Sequence, residues 1–173
     1  VTDYVSELAQ VREERDRFLR EHYASPLPAE DQAAFPGLDY FPTDEAWRIT
    51  ASFDPSPPSK IDIPSTSGMN SGYTAVGTVK LTIADVSYDL IVLDDGDGGV
   101  FIPFRDGTSG TETYTGGRYV NLALDEHGDA TIDFNSAANP WCVYDEEFVC
   151  PLPPQGNWIA ERIEAGEKMY RSP

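Results

Sequence analysis

The residues of this chain that could do chemistry gather between Phe101 and Asn157. The run FIPFRDGTSGTETYTGGRYVNL places Arg105 and Arg118 on either side of a glycine-rich loop that itself carries Glu112 and Tyr114. The run DATIDFNSAANPWCVYDEEFVCPLPPQGN adds Asp133, Asn135 and both cysteines, Cys142 and Cys150. Guanidinium groups grip carboxylates and phosphates through paired hydrogen bonds, so the two arginines suit a small anionic ligand. In an acidic chain they suit equally an ion-pair network that pins the loop, with Asp106, Glu112 and Asp133 as partners. Tyr114 and Tyr119 fit an aromatic wall or a core position with a hydrogen-bonded hydroxyl. Arg105, Glu112, Tyr114, Arg118, Asp133 and Asn135 form the candidate ligand-binding set. If the flanking strands are antiparallel neighbours, both arginines and the far end of the next strand come to one sheet edge, with Glu112 and Asp133 at the same pocket mouth.

The familiar catalytic signatures are missing. The loop DGTSGTETYTGG lacks the lysine of a phosphate-binding P-loop and opens no helix. Ser109 stands in G-T-S-G, which is not a nucleophile elbow. His22 has no metal-ligand spacing, and His127 in DEHGD lends no support to a Ser-His-Asp triad, which geometry defines. The acids of DDGDGG stop at Asp97 with no glutamate at the distance a calcium loop needs, so a solvated hairpin turn is the better reading. No metal site is expected. Cys142 and Cys150 admit four readings: two buried thiols, a disulfide across a short loop, half of a zinc site, or a nucleophile with a neighbouring base. A flavin would fit a small barrel, yet no sequence signal points to it or to any other cofactor.

Charge bounds the partners. The chain of 173 residues holds 30 Asp and Glu against 12 Lys and Arg, a formal net charge of −18. The acids are dispersed, and lysine is confined to Lys60, Lys80 and Lys168. Such self-repulsion destabilises a compact state at ordinary ionic strength. At molar salt the Debye length falls to about 3 Å and the repulsion is screened. The composition therefore predicts a cytoplasmic protein of an extreme halophile. It argues against nucleic acid and anionic membranes, which need a basic footprint. No apolar run is long enough to span a bilayer. The N-terminus VTDYVSELAQ lacks a signal-peptide pattern, an appearance that a processed N-terminus shares.

The elements that must position these residues follow from periodicity. With 40% hydrophobic residues the chain can bury a core, most simply as a single domain over 1–173: an N-terminal helix within 1–24 packed on a β-domain at 35–168. Residues 2–22 predict a helix with Thr2 as cap and Asp3 in its first turn. Tyr4, Val5, Leu8, Val11, Phe18 and Leu19 make its apolar face. Arg12, Arg15, Arg17 and Arg20 read as a solvated face balanced by neighbouring acids. Residues 35–43, FPGLDYFPT, predict a strap over the core. Alternation predicts strands at 47–53, 79–83, 87–93, 100–104, 118–124 and 130–134, with a short extra one at Ile61 and Ile63. Asp54-Pro55 and Pro57-Pro58 should end the first strand. The fold class expected is mainly β (α+β), an antiparallel barrel or sandwich-like meander with one long N-terminal helix. The closing segment 157–166 suits either one helical turn or an extended arm.

The ordered run Phe104-Arg105-Asp106, Ser109-Gly110, Glu112-Thr113-Tyr114, Gly117-Arg118-Tyr119, Asp133-Phe134-Asn135, Asn139-Pro140, Cys142, Cys150 to Pro154, Asn157 and Ala165-Gly166-Glu167 resembles the family catalogued as domain of unknown function 1684. The resemblance covers most of residues 35–168 and is densest over 101–168. Many members carry an extra β-rich segment after the first helix, where this chain passes directly through Ser25–Ala34. The resemblance implies no established activity, cofactor or partner. Three function classes follow: a small-molecule binding domain, an enzyme using carboxylate acid-base or cysteine chemistry on a small polar substrate, and an interaction domain without a pocket.

Overall fold

A computed structural model describes residues 3–127 and 129–171. Helix α1 (Tyr4–Glu21) begins at Asp3, whose carboxylate accepts the Ser6 N–H at 3.1 Å. Asp3 is thus the N-cap itself; Thr2, expected there, lies outside the described residues. A single turn, α2 (Ala29–Gln32), follows. The strap then buries Phe35, Leu38 and Phe41 while running without regular structure.

Six strands follow: β1 (Arg48–Pro64), β2 (Asn70–Ile83), β3 (Val86–Asp94), β4 (Val100–Phe104), β5 (Arg118–Leu124) and β6 (Ala130–Asp133). Each pairs antiparallel with the next, and β6 returns to β1 over Arg48–Ala51 to close a barrel. The protein is therefore mainly β, a closed antiparallel barrel with one long N-terminal helix. The β2–β3 turn puts Ala84 and Asp85 at φ 46° and 66°, the left-handed pair that lets a two-residue hairpin follow the strand twist.

One strand departs from expectation. β1 runs on through Pro55, Pro57 and Pro58, and Ile61 and Ile63 belong to it rather than to a separate strand. Beyond Ala51 its pairing with β6 has ended and only β2 remains, so missing N–H groups on the open edge cost nothing. A register slip between Pro55 and Ser59 absorbs the rest.

Inward positions fill the barrel. Val79, Leu90, Val92, Ile102, Ile132 and Phe134 are fully buried there, each worth about 1.5–3 kcal/mol of apolar burial. Residues 158–166 form an extended arm, not a helical turn, and add Ile159, Ile163 and Ala165 to the same core. Packed in this way, the interior is a core, so a ligand must sit outside it.

Of the helix arginines expected on a solvated face, Arg17 is exposed, whereas Arg12 and Arg15 turn toward the barrel. Leu8, Arg12, Arg15 and Leu19 fall at i, i+4, i+7 and i+11, one stripe of α1, and that stripe meets the barrel. Arg15 pairs with Glu167, which is 1% exposed. Arg12 stacks on the Tyr40 ring at 4.3 Å and donates to the Asn135 carbonyl at 3.2 Å. Val5 and Val11, expected on the apolar face, are exposed. Among the described residues no helix is long and apolar enough to cross a membrane.

Candidate functional site

Arg118 opens β5, opposite Phe104 of β4, and is 1% exposed. Its terminal nitrogens donate to the carbonyls of Ala165, Glu167 (3.1 Å) and Ile163 (3.0 Å) and to Asp106 Oδ2 (3.2 Å). That uses all four of their N–H groups and leaves none for a ligand. Asp106 accepts in turn from the Ile163 N–H at 2.8 Å, the Thr108 N–H at 3.1 Å and the Thr108 hydroxyl at 2.7 Å. Burial lowers the Arg118 pKa while the Asp106 charge raises it. The pair ties the glycine-rich loop to the C-terminal arm.

Arg105 goes elsewhere. Successive side chains leave a strand on opposite faces, so with Phe104 in the core Arg105 turns outward. Its guanidinium lies 4.7 Å from the ring centroid of Trp158. Among the described residues it forms no ion pair.

The expected cluster of Arg105, Glu112, Arg118 and Asp133 does not form. Glu112 pairs with Arg162 on the surface. Asp133 accepts the Tyr4 hydroxyl at 2.7 Å and the Asn135 N–H at 3.0 Å. Asn135 itself clasps the backbone of Asp44, donating at 2.8 Å and accepting at 3.1 Å. Asp133 and Asn135 therefore fasten α1 and the start of β1. The cause is register: Leu122 faces Ile132, so β6 ends short of the level of Arg118, and Ala138 meets Tyr119 instead. Of the candidate partners for the arginines, Asp106 is the one that Arg118 takes.

Tyr114 does line a cavity. A groove of about 470 Å³ runs between the glycine-rich loop and the 152–158 segment, lined by Ser65, Thr66, Arg105, Tyr114, Leu152 and Trp158 among others. It contains no Asp or Glu. Gly116 permits its shape, since a Cβ there would stand 2.4 Å from the Tyr114 ring. Gly117, at φ 90°, turns the chain back into β5. The Tyr114 pKa is pushed up to about 12, by burial first and then by Cys142, so the phenol stays a neutral donor. Trp158 also lines the groove, although nothing in segment 157–166, which suits a helical turn or an extended arm, marks it in the sequence.

Beyond Tyr114 and Thr66 a second depression of about 710 Å³ is lined by Cys142, Glu146, Phe148, Met169 and Arg171. Both cysteines are free thiols. The Cys142 N–H points at Cys150 Sγ, 3.4 Å away. Among the described residues no cluster of His, Cys, Asp or Glu could hold a metal ion.

The family model described as protein of unknown function (DUF1684) matches residues 33–168. No curated protein matches the chain. The solution NMR structure of an uncharacterised protein from Haloarcula marismortui is similar, at 38% identity and a TM-score of 0.72, covering 96% of this chain and 94% of that one.

Proposed function

This chain belongs to the DUF1684 family of proteins of unknown function, and from that footing we propose that it binds a small anion with a flat apolar body in the Arg105–Trp158 groove. The observation that carries this reading is an imbalance of charge. In a chain with 30 acids, the groove holds an arginine and no carboxylate. A guanidinium stacked on an indole keeps its in-plane donors free for a carboxylate or phosphate. Tyr114, Leu152 and Trp158 supply apolar walls, and Ser65 and Thr66 supply hydroxyls at the rim. A few polar groups converging on an apolar cleft is the usual make-up of a small-molecule site.

The dispersed acid and the likeness to a Haloarcula protein support a second element of the proposal: the chain works in the molar-salt cytoplasm of an extreme halophile.

A thermal-shift screen of aromatic carboxylates and phosphate monoesters, at one fixed KCl concentration, tests the binding. A ligand of the native state raises the midpoint in proportion to the logarithm of its concentration over its Kd. A panel without one stabilising anion counts against the proposal.

A further inference from the structure

The two thiols lie in a setting that the groove does not use. Cys142 enters from the 3-10 turn Trp141–Val143 and lines the larger depression. Cys150 lies behind it, 7% exposed. Thr66, from the turn after β1, holds Cys150 in place: its hydroxyl accepts the Cys150 N–H at 2.9 Å, and its own N–H donates to the Cys150 carbonyl at 3.0 Å. The seven residues between the cysteines loop outward, with Phe148 edge-on to Trp141 at 5.3 Å. One sulfur is open to the cavity and the other is fixed directly behind it. The Cys142 N–H donates to Cys150 Sγ. The Cys142 side chain and this N–H draw the Cys150 pKa down, which favours a thiolate there and leaves one proton on the pair.

We propose that Cys142 and Cys150 are an oxidisable dithiol, which a hydroperoxide entering the larger depression converts to an intramolecular disulfide. The proton of the pair passes to Cys150 as the Cys142 sulfur attacks the distal peroxide oxygen. The O–O bond breaks, an alkoxide or hydroxide leaves and takes a proton from solvent, and Cys142 becomes a sulfenic acid. The Cys150 sulfur then attacks the Cys142 sulfur. The S–O bond breaks, the departing hydroxide takes the Cys150 proton as water, and the S–S bond remains. In total the thiol–thiolate pair loses two electrons and its one proton, solvent supplies the second proton, and the peroxide is reduced to an alcohol and water, or to two waters when it is hydrogen peroxide. The exposed sulfur is the one that meets the oxidant, and the buried one resolves it.

The test uses the full chain and hydrogen peroxide, read by thiol titration in denaturant and by intact mass. These are the only two cysteines, so neither readout is ambiguous. Both thiols should disappear together, with the mass falling by two hydrogens, and dithiothreitol should restore them. Cys150→Ser should stop at a sulfenic acid on Cys142 that dimedone traps, while wild type gives no adduct. Persistence of both thiols at a peroxide dose that consumes free cysteine would overturn the proposal. So would a disulfide formed between chains, or equal dimedone labelling of wild type and Cys150→Ser. If Cys150→Ser does not fold, the wild-type thiol and mass readings decide alone.

Discussion

Arg118 and Asp106 face each other across 3.2 Å with side chains 1% and 0% exposed. The carboxylate accepts from the loop and the arm on its remaining lone pairs, and the guanidinium donates to the arm's carbonyls. An arginine that sequence offers as a ligand anchor is here the pin of the fold, while among the described residues its neighbour Arg105 forms no ion pair.

Arg118→Ala should therefore cost about 3–5 kcal/mol, the penalty for leaving a buried charge unpaired. Urea denaturation of wild type and variant measures it. Arg118→Lys should recover little, because an ammonium cannot span acceptors set on both terminal nitrogens. A loss within the range of an ordinary surface substitution would contradict this role.

Glu167 makes the matching prediction for α1. Its carboxylate accepts the Asn139 N–H at 2.7 Å and holds Arg15. Arg15 is a quarter exposed, so Arg15→Ala should fall toward the lower end of the roughly 3–5 kcal/mol scale for broken buried pairs. It should also loosen α1 before the barrel. Limited proteolysis should cut the variant within 4–21 under conditions that leave wild type whole, whereas identical cleavage would argue against docking through this pair.

Much of the fold could be read from sequence. Alternation along residues 79–104 and 118–134 marks strands because each packs one face inward. The misreadings have a common origin, which is that tertiary context overrode a local signal. Pro55, Pro57 and Pro58 looked like strand breakers, but an open edge tolerates them. Arg12 and Arg15 looked solvent-facing, but they share the buried stripe of α1 with Leu8 and Leu19. The candidate site was half visible. Arg105 and Tyr114 line the groove, whereas Asp133 and Asn135 are carried away by the early end of β6. No single-residue pattern announces where a short strand stops.

Salt should stabilise the protein. With a net charge of −18 the native state carries strong self-repulsion that molar KCl screens. Thermal midpoints should rise steeply from low salt to molar KCl. A midpoint flat across that range would sink the halophile reading.

The thiol pair should react at unusually low pH. The Cys150 pKa is drawn down to about 6, chiefly by the hydrogen bond from Cys142, and the first proton leaves the pair as a unit. A lowered pKa means the anion is present below the ordinary thiol value of about 8.5. Alkylation by iodoacetamide should therefore climb with pH through an inflection below that value. An inflection at or above the ordinary thiol value would contradict the geometry.

The most direct measurement is the affinity of Arg105→Ala for whichever aromatic carboxylate or phosphate stabilises wild type, read by isothermal titration calorimetry at fixed KCl. A hydrogen bond to a charged group is worth about 1.5–3 kcal/mol, so the variant should bind at least about tenfold more weakly. Its unliganded melting midpoint should match wild type, because Arg105 forms no ion pair among the described residues. Equal affinity in wild type and Arg105→Ala would contradict the assignment of the groove.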